Sequence, residues 1–131
     1  PYAIIAAEIG KHDDAYRYFM MAAKMDLEDI RGDLDKGVHI GCIGGVWQAV
    51  INGFAGLRVG RDELIIDPRL PPHWKRLRFR IRYREALLTI SIEQDRVVLK
   101  VESLRKPITV RVMGRRTMIS REGTYHWRRP G

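Results

Sequence analysis

The strictest pattern in the chain is "RLRFRIRYR", residues 76–84, where charged and apolar positions alternate without a break. A period of two marks a strand with one face in the core. It places Leu77, Phe79, Ile81 and Tyr83 on one face and five arginines on the other. "LLTISI" (87–92), "VVLKV" (97–101) and "ITVRV" (108–112) read as further strands, with turns at Gln94-Asp95-Arg96 and Lys106-Pro107. A strand roughly every ten residues predicts an antiparallel β-sandwich over 76–131.

The N-terminal part follows a helical period instead. "YAIIAAEI" (2–9) predicts an apolar helix stopped by Gly10. A second helix is expected over about Asp13–Met25, with polar capping residues ahead of it and Ala15, Phe19, Ala22 and Ala23 on one face. The short link makes the two helices antiparallel neighbours. Residues 26–43 are polar and glycine-bearing and read as a loop. A third helix is expected from Gly44 to Phe54, mostly buried, because Val46, Trp47, Val50, Ile51 and Phe54 form a wide apolar stripe. "GLRVGRDELIIDPRLPPHWK" (56–75) reads as an ordered linker, since Leu64, Ile65, Ile66 and Trp74 are too apolar to be left in water. The expected organisation is therefore α+β: helices over 1–56, a linker over 57–75 and a sandwich over 76–131.

Charge supports that division. The 131 residues carry a net charge of +8, but residues 1–56 hold 5 Lys/Arg against 8 Asp/Glu, and residues 57–131 hold 19 against 8. No apolar stretch approaches the ~20 residues of a membrane helix. A single cysteine, Cys42, excludes an internal disulfide and suits a reducing cytoplasm. The chain opens at Pro1 in mid-pattern with no charged leader, which suggests a piece of a longer protein.

Several chemistries are poorly served. One cysteine and four scattered histidines do not make a zinc site. The acidic run Asp26, Glu28, Asp29, Asp33 and Asp35 has no evident acid/base pairing. "AAEIGKHDDAYRYFMMAAKMD" has the small-residue spacing of one tetratricopeptide repeat, but no second copy follows. The arginine face of 76–84 reads as a solvated sheet face with Glu93 and Glu102 on neighbouring strands as partners. No aromatic residues interleave with those arginines on the same face, so a nucleic-acid platform is not expected.

"GVHIGCIGGVWQAV" (37–50) is the stretch with candidate chemistry. Glycines ahead of a helix let N–H groups approach a ligand, and a helix N-terminus favours an anion. Gly44 and Gly45 stand where the third helix is expected to begin, and His39 could add a directed donor to a phosphate oxygen. The pattern is neither a Walker A loop nor a dinucleotide fingerprint. Glycines serving tight helix packing around a core histidine explain the same residues equally well.

Beyond its local periodicity, the chain resembles the C-terminal part of glycoside hydrolase family 65, which contains inverting maltose, trehalose, kojibiose and nigerose phosphorylases. "GVHIGCIGGVWQ" stands where that family has a Gly-Ile-His and Gly-Gly-x-Trp-Gln pattern, and "DPRLPPHW" where it has the Pro-x-Leu-Pro segment entering its C-terminal sandwich. The resemblance implies the last helices of an (α/α)6 barrel followed by a sandwich that carries no chemistry, apart from a candidate role in homodimerisation. It implies that His39, with the backbone of Gly44 and Gly45, helps hold inorganic phosphate, and that Trp47 and Gln48 position the helix. Phosphate is a co-substrate and no cofactor is implied; the other partners are a disaccharide and the remainder of the barrel, with no nucleic acid or membrane. The family's general-acid glutamate has no counterpart in this chain, so no catalytic residue is assigned and the chain alone is expected to be inactive. With the rest of a barrel missing, Trp47 and Phe54 are expected to be partly exposed and the isolated chain to aggregate. A trehalase-like hydrolase of the same family and a basic sandwich module binding polyanions or carbohydrate are the alternatives.

Overall fold

Gly10 ends the first helix because its φ of +78° needs no Cβ clearance. Its N–H reaches the Ala7 carbonyl at 3.1 Å, and the Lys11 N–H reaches that of Ala6 at 2.8 Å, a Schellman stop. The Ala15 N–H then bonds the Lys11 carbonyl at 2.9 Å, opening the second helix. The structure, a computed structural model, describes residues 2–24 and 40–130. The chain divides into two units, Pro1–Phe54 and Ala55–Gly131.

The first unit holds α1 (Tyr2–Glu8), α2 (His12–Lys24) and α3 (Ile40–Gln48), the last running into a π-helical segment, Ala49–Phe54. Its core is built largely of small residues. Ala3, Ala6, Ala7, Ala15 and Ala49 are buried with Ile51 and Phe54. A Cβ on Gly53 would lie 3.5 Å from the Ile4 Cα, so the π segment passes close to α1. The rings of Phe19 and Phe54 meet edge-on, with centroids 5.4 Å apart. Phe54 is therefore buried, against the expectation of partial exposure, because α2 supplies its cover. Trp47 is 58% exposed, as expected with the rest of a barrel missing.

The second unit is a sandwich of two four-stranded sheets. One has the order β1 (Leu57–Val59), β2 (Leu64–Ile66), β6 (Ile108–Val112), β7 (Arg115–Ile119). The other has the order β3 (Leu77–Tyr83), β4 (Ala86–Ile92), β5 (Arg96–Ser103), β8 (Gly123–Arg128). The chain builds β1 and β2 in the first sheet, crosses for β3 to β5, returns for β6 and β7, and closes in the second with β8. Every pairing is antiparallel except β2 with β6, where Leu64 faces Val110 and Ile66 faces Val112. The period of two decides which side chains fill the middle. Leu64, Ile66, Ile108, Val110, Val112 and Ile119 come from the first sheet, and Leu88, Ile90, Ile92, Val97, Leu99 and Val101 from the second, each at most 2% exposed. Burying each such side chain contributes about 1.5–3 kcal/mol, so this apolar layer dominates the unit's stability.

The stretch 57–75 is not a linker. It contributes β1 and β2, and the parallel β2–β6 pairing makes Leu64 and Ile66 part of the sandwich core. Glu63 clamps this sheet from outside, accepting from Arg111 at 2.9 Å and lying 3.5 Å from Arg116.

Candidate functional site

The glycine-rich stretch folds differently from its expected form. α3 begins at Ile40 rather than Gly44, so residues 40–43 are helical and not loop. Gly44 and Gly45 stand in the second turn, where each N–H is committed to the carbonyl four residues before it. The unpaired N–H groups of α3 belong to its first turn, immediately after His39 in sequence. The expectation that the Gly44 and Gly45 N–H groups form the anion seat is corrected on this geometry. His39 lies outside the described residues.

Among the described residues, nothing packs tightly against the two glycines either. A Cβ at Gly44 or Gly45 would meet no atom of the described residues within 4 Å. Gly44, Trp47 and Gln48 are all exposed, and their i, i+3, i+4 spacing puts them on one face of α3. The expectation that Trp47 and Gln48 fix the helix finds no buried contact among the described residues of this unit. The face they form is open among the described residues: one position without a side chain, then an indole and an amide.

Among the described residues, carboxylates suited to acid/base work are not gathered beside α3; the acidic run Asp26, Glu28, Asp29, Asp33 and Asp35 lies outside them. Asp14 pairs with Arg17 at 3.2 Å on the surface of α2. Among the described residues no three His, Cys, Asp or Glu side chains converge as a metal site would require.

Charge is instead concentrated on the outer face of the β3–β4–β5–β8 sheet, as the alternation of 76–84 predicts. Arg76 donates to Glu93 at 2.6 Å, and Arg96 donates to the other oxygen of the same carboxylate. Arg80 donates to Glu102 at 3.2 Å, and the Thr89 hydroxyl donates to it at 3.0 Å. The expected pairing of Glu93 and Glu102 with this face is thus observed. Hydrogen bonds from Arg96 and then Arg76 pull the Glu93 carboxyl down from 4.5 to about 2. The Thr89 hydroxyl bond, helped by the charge of Arg80, lowers that of Glu102.

A pH dependence follows for Glu93. Between pH 4.5 and about 2 the unfolded chain holds its proton while the folded chain does not, so stability rises with pH in that window. The contribution is present above pH 4.5 and is lost as pH falls through about 2. Glu93→Gln should therefore lower the melting temperature at neutral pH, with the deficit shrinking to nothing near pH 2. Melting curves that stay parallel across the window would remove Glu93 as a stabilising group.

Known proteins match both units. The family described as "Glycosyl hydrolase family 65 central catalytic domain" matches residues 1–48, and "Glycosyl hydrolase family 65, C-terminal domain" matches residues 57–118. An α,α-trehalose phosphorylase of Thermoanaerobacter brockii is 43% identical over 97 residues, 74% of this chain and 12% of its own length. A kojibiose phosphorylase of Halothermothrix orenii is 36% identical over 123 residues, 91% of this chain and 16% of its own. A solved structure from the human microbiome, assigned to the kojibiose phosphorylases, superposes with a TM-score of 0.86 at 27% identity, covering 97% of this chain and 16% of that one. The chain thus spans less than a fifth of the length of these relatives. With one unit matching the central catalytic domain and the other the C-terminal domain, the chain belongs to glycosyl hydrolase family 65.

Proposed function

We propose that the full-length protein is an inverting phosphorylase of an α-glucosyl disaccharide, acting in the cytoplasm without a cofactor. The observation that supports this most is that the likeness to trehalose and kojibiose phosphorylases runs through both units rather than one shared fold element. In this reading a phosphate oxygen attacks the anomeric carbon as the glycosidic oxygen leaves from the opposite side. The departing sugar takes a proton from a carboxylic acid elsewhere in the protein. One C–O bond breaks, one C–O bond to phosphate forms, and the products are β-glucose 1-phosphate and a free sugar.

The part given to these 131 residues is the phosphate. His39 donates to one of its oxygens, and the unpaired N–H groups of the first turn of α3 favour its charge. Gly44 and Gly45 contribute by what they lack, keeping the approach along α3 clear of side chains. A seat made before the reaction stabilises the negative charge of the nucleophile without reorganisation.

The test is to offer the full-length protein trehalose, kojibiose, maltose and nigerose, with and without phosphate. Glucose 1-phosphate from one of them, made only with phosphate, is the expected result, and residues 1–131 alone should make none. Glucose released at the same rate without phosphate would make the protein a hydrolase and leave the His39 seat without a purpose.

A further inference from the structure

The two glutamates on the outer face of the β3–β4–β5–β8 sheet account for only part of its positive charge. Glu93 holds Arg76 and Arg96, and Glu102 holds Arg80. Arg78 and Lys100 are exposed and form no ion pair within 4 Å among the described residues, Lys100 acting on Glu102 only through its charge. The ladder places them around two hydroxyls. Arg78 lies opposite Ser91, and Lys100 lies between Thr89 and Thr124 on the next rung. Thr89 is already engaged with Glu102, whereas Ser91 and Thr124 make no side-chain bond among the described residues. All four side chains line one hollow of about 240 Å³.

This arrangement selects for a small anion. Arg78 and Lys100 stand two strand spacings and one same-face step apart, roughly 12 Å on the diagonal, so their long side chains approach a group seated over β4 from opposite sides. A guanidinium, an ammonium and the Ser91 hydroxyl offer the donors that phosphate oxygens accept, and the two cations suit its double charge. Glu93, at the edge of the hollow, does not repel an anion strongly, because two guanidiniums already neutralise it. The hollow is smaller than the roughly 300–1,000 Å³ of drug-sized pockets. No Phe, Tyr or Trp lines it to stack a base, which argues against a nucleic-acid strand.

We propose that this sheet face carries a second anion site, for inorganic phosphate or a sugar phosphate ester, with Arg78 and Lys100 as its charges and Ser91 as the hydroxyl donor beneath it. The site stands on the geometry of the sandwich alone and is independent of the His39 seat.

The test is a footprint of Lys100 in the full-length protein. An amine-reactive ester labels it, and peptide mass spectrometry reads the rate. Inorganic phosphate or glucose 1-phosphate at ~10 times its dissociation constant should slow labelling about tenfold by simple occupancy, while chloride at equal ionic strength should not. Comparing the two ligands tells whether the sugar contributes. Arg78→Gln, an exposed change that leaves the core intact, should abolish the protection. Equal labelling in phosphate and chloride would overturn the proposal. So would protection by heparin but not by phosphate, or a Lys100 that never labels because the full-length protein covers it.

Discussion

Gly56→Ala is expected to disrupt the first sheet of the sandwich, at a cost above about 4 kcal/mol, the range reserved for a few identifiable steric or polar failures. Two effects combine. The φ of Gly56 is +63°, a region in which an L side chain costs about 1 kcal/mol. A Cβ there would also lie 1.8 Å from the Asp67 carbonyl oxygen and 2.4 Å from its carbon. These are backbone atoms, held by the Asp67 N–H bond to the Gly56 carbonyl at 3.1 Å, so no rotamer change relieves the clash. Gly114 is the internal control: its φ is +80°, yet a Cβ there meets nothing within 4 Å. Gly114→Ala should therefore show only the conformational cost, about 1 kcal/mol. Hydrogen exchange across β1, β2 and β6, with melting temperatures, measures both. Equal losses in the two variants would mean that the Asp67 backbone yields to the new methyl group.

Gly56 also shows where the sequence was hard to read. Strand β3 was legible because nine residues alternate strictly, and its register put Arg76 and Arg80 within reach of Glu93 and Glu102. β1 and β2 are three residues each, too short for a period to declare itself, and β2 is made a core strand by a parallel partner more than forty residues away. Local pattern carries no record of such a pairing. β7 reads "RRTMI", and only Ile119 of it is buried, so its alternation is too weak to stand out. A better signal existed for β2: "LII" between Glu63 and Asp67-Pro68 is an apolar run bounded by breakers. The start of α3 was missed for a related reason. Gly41, Gly44 and Gly45 argue against helix by propensity, at about 1 kcal/mol each, yet the helix forms through them. The phosphate role of His39 came from the family resemblance; its position in the sequence alone left two explanations balanced.

That balance can be broken with His39→Ala in the full-length protein. A hydrogen bond to a charged group is worth about 1.5–3 kcal/mol, so losing it should raise the phosphate KM or lower kcat/KM for phosphate by roughly 10- to 100-fold. The KM for the disaccharide should move little, and His39→Asn, which keeps an N–H donor, should recover part of the loss. A core histidine predicts the reverse: a lower melting temperature, both KM values shifted together, and no recovery with Asn. The glycines sharpen the distinction. Alanine is favoured over glycine in a helix interior by up to about 1 kcal/mol, and a Cβ at Gly44 or Gly45 meets nothing among the described residues. Gly44→Ala and Gly45→Ala should therefore leave α3 at least as stable. If they nonetheless weaken phosphate use, the space above α3 belongs to the bound reactants. If the phosphate KM is unchanged while His39→Ala raises it, the seat is confined to His39 and the first turn, and the glycines serve another part of the protein.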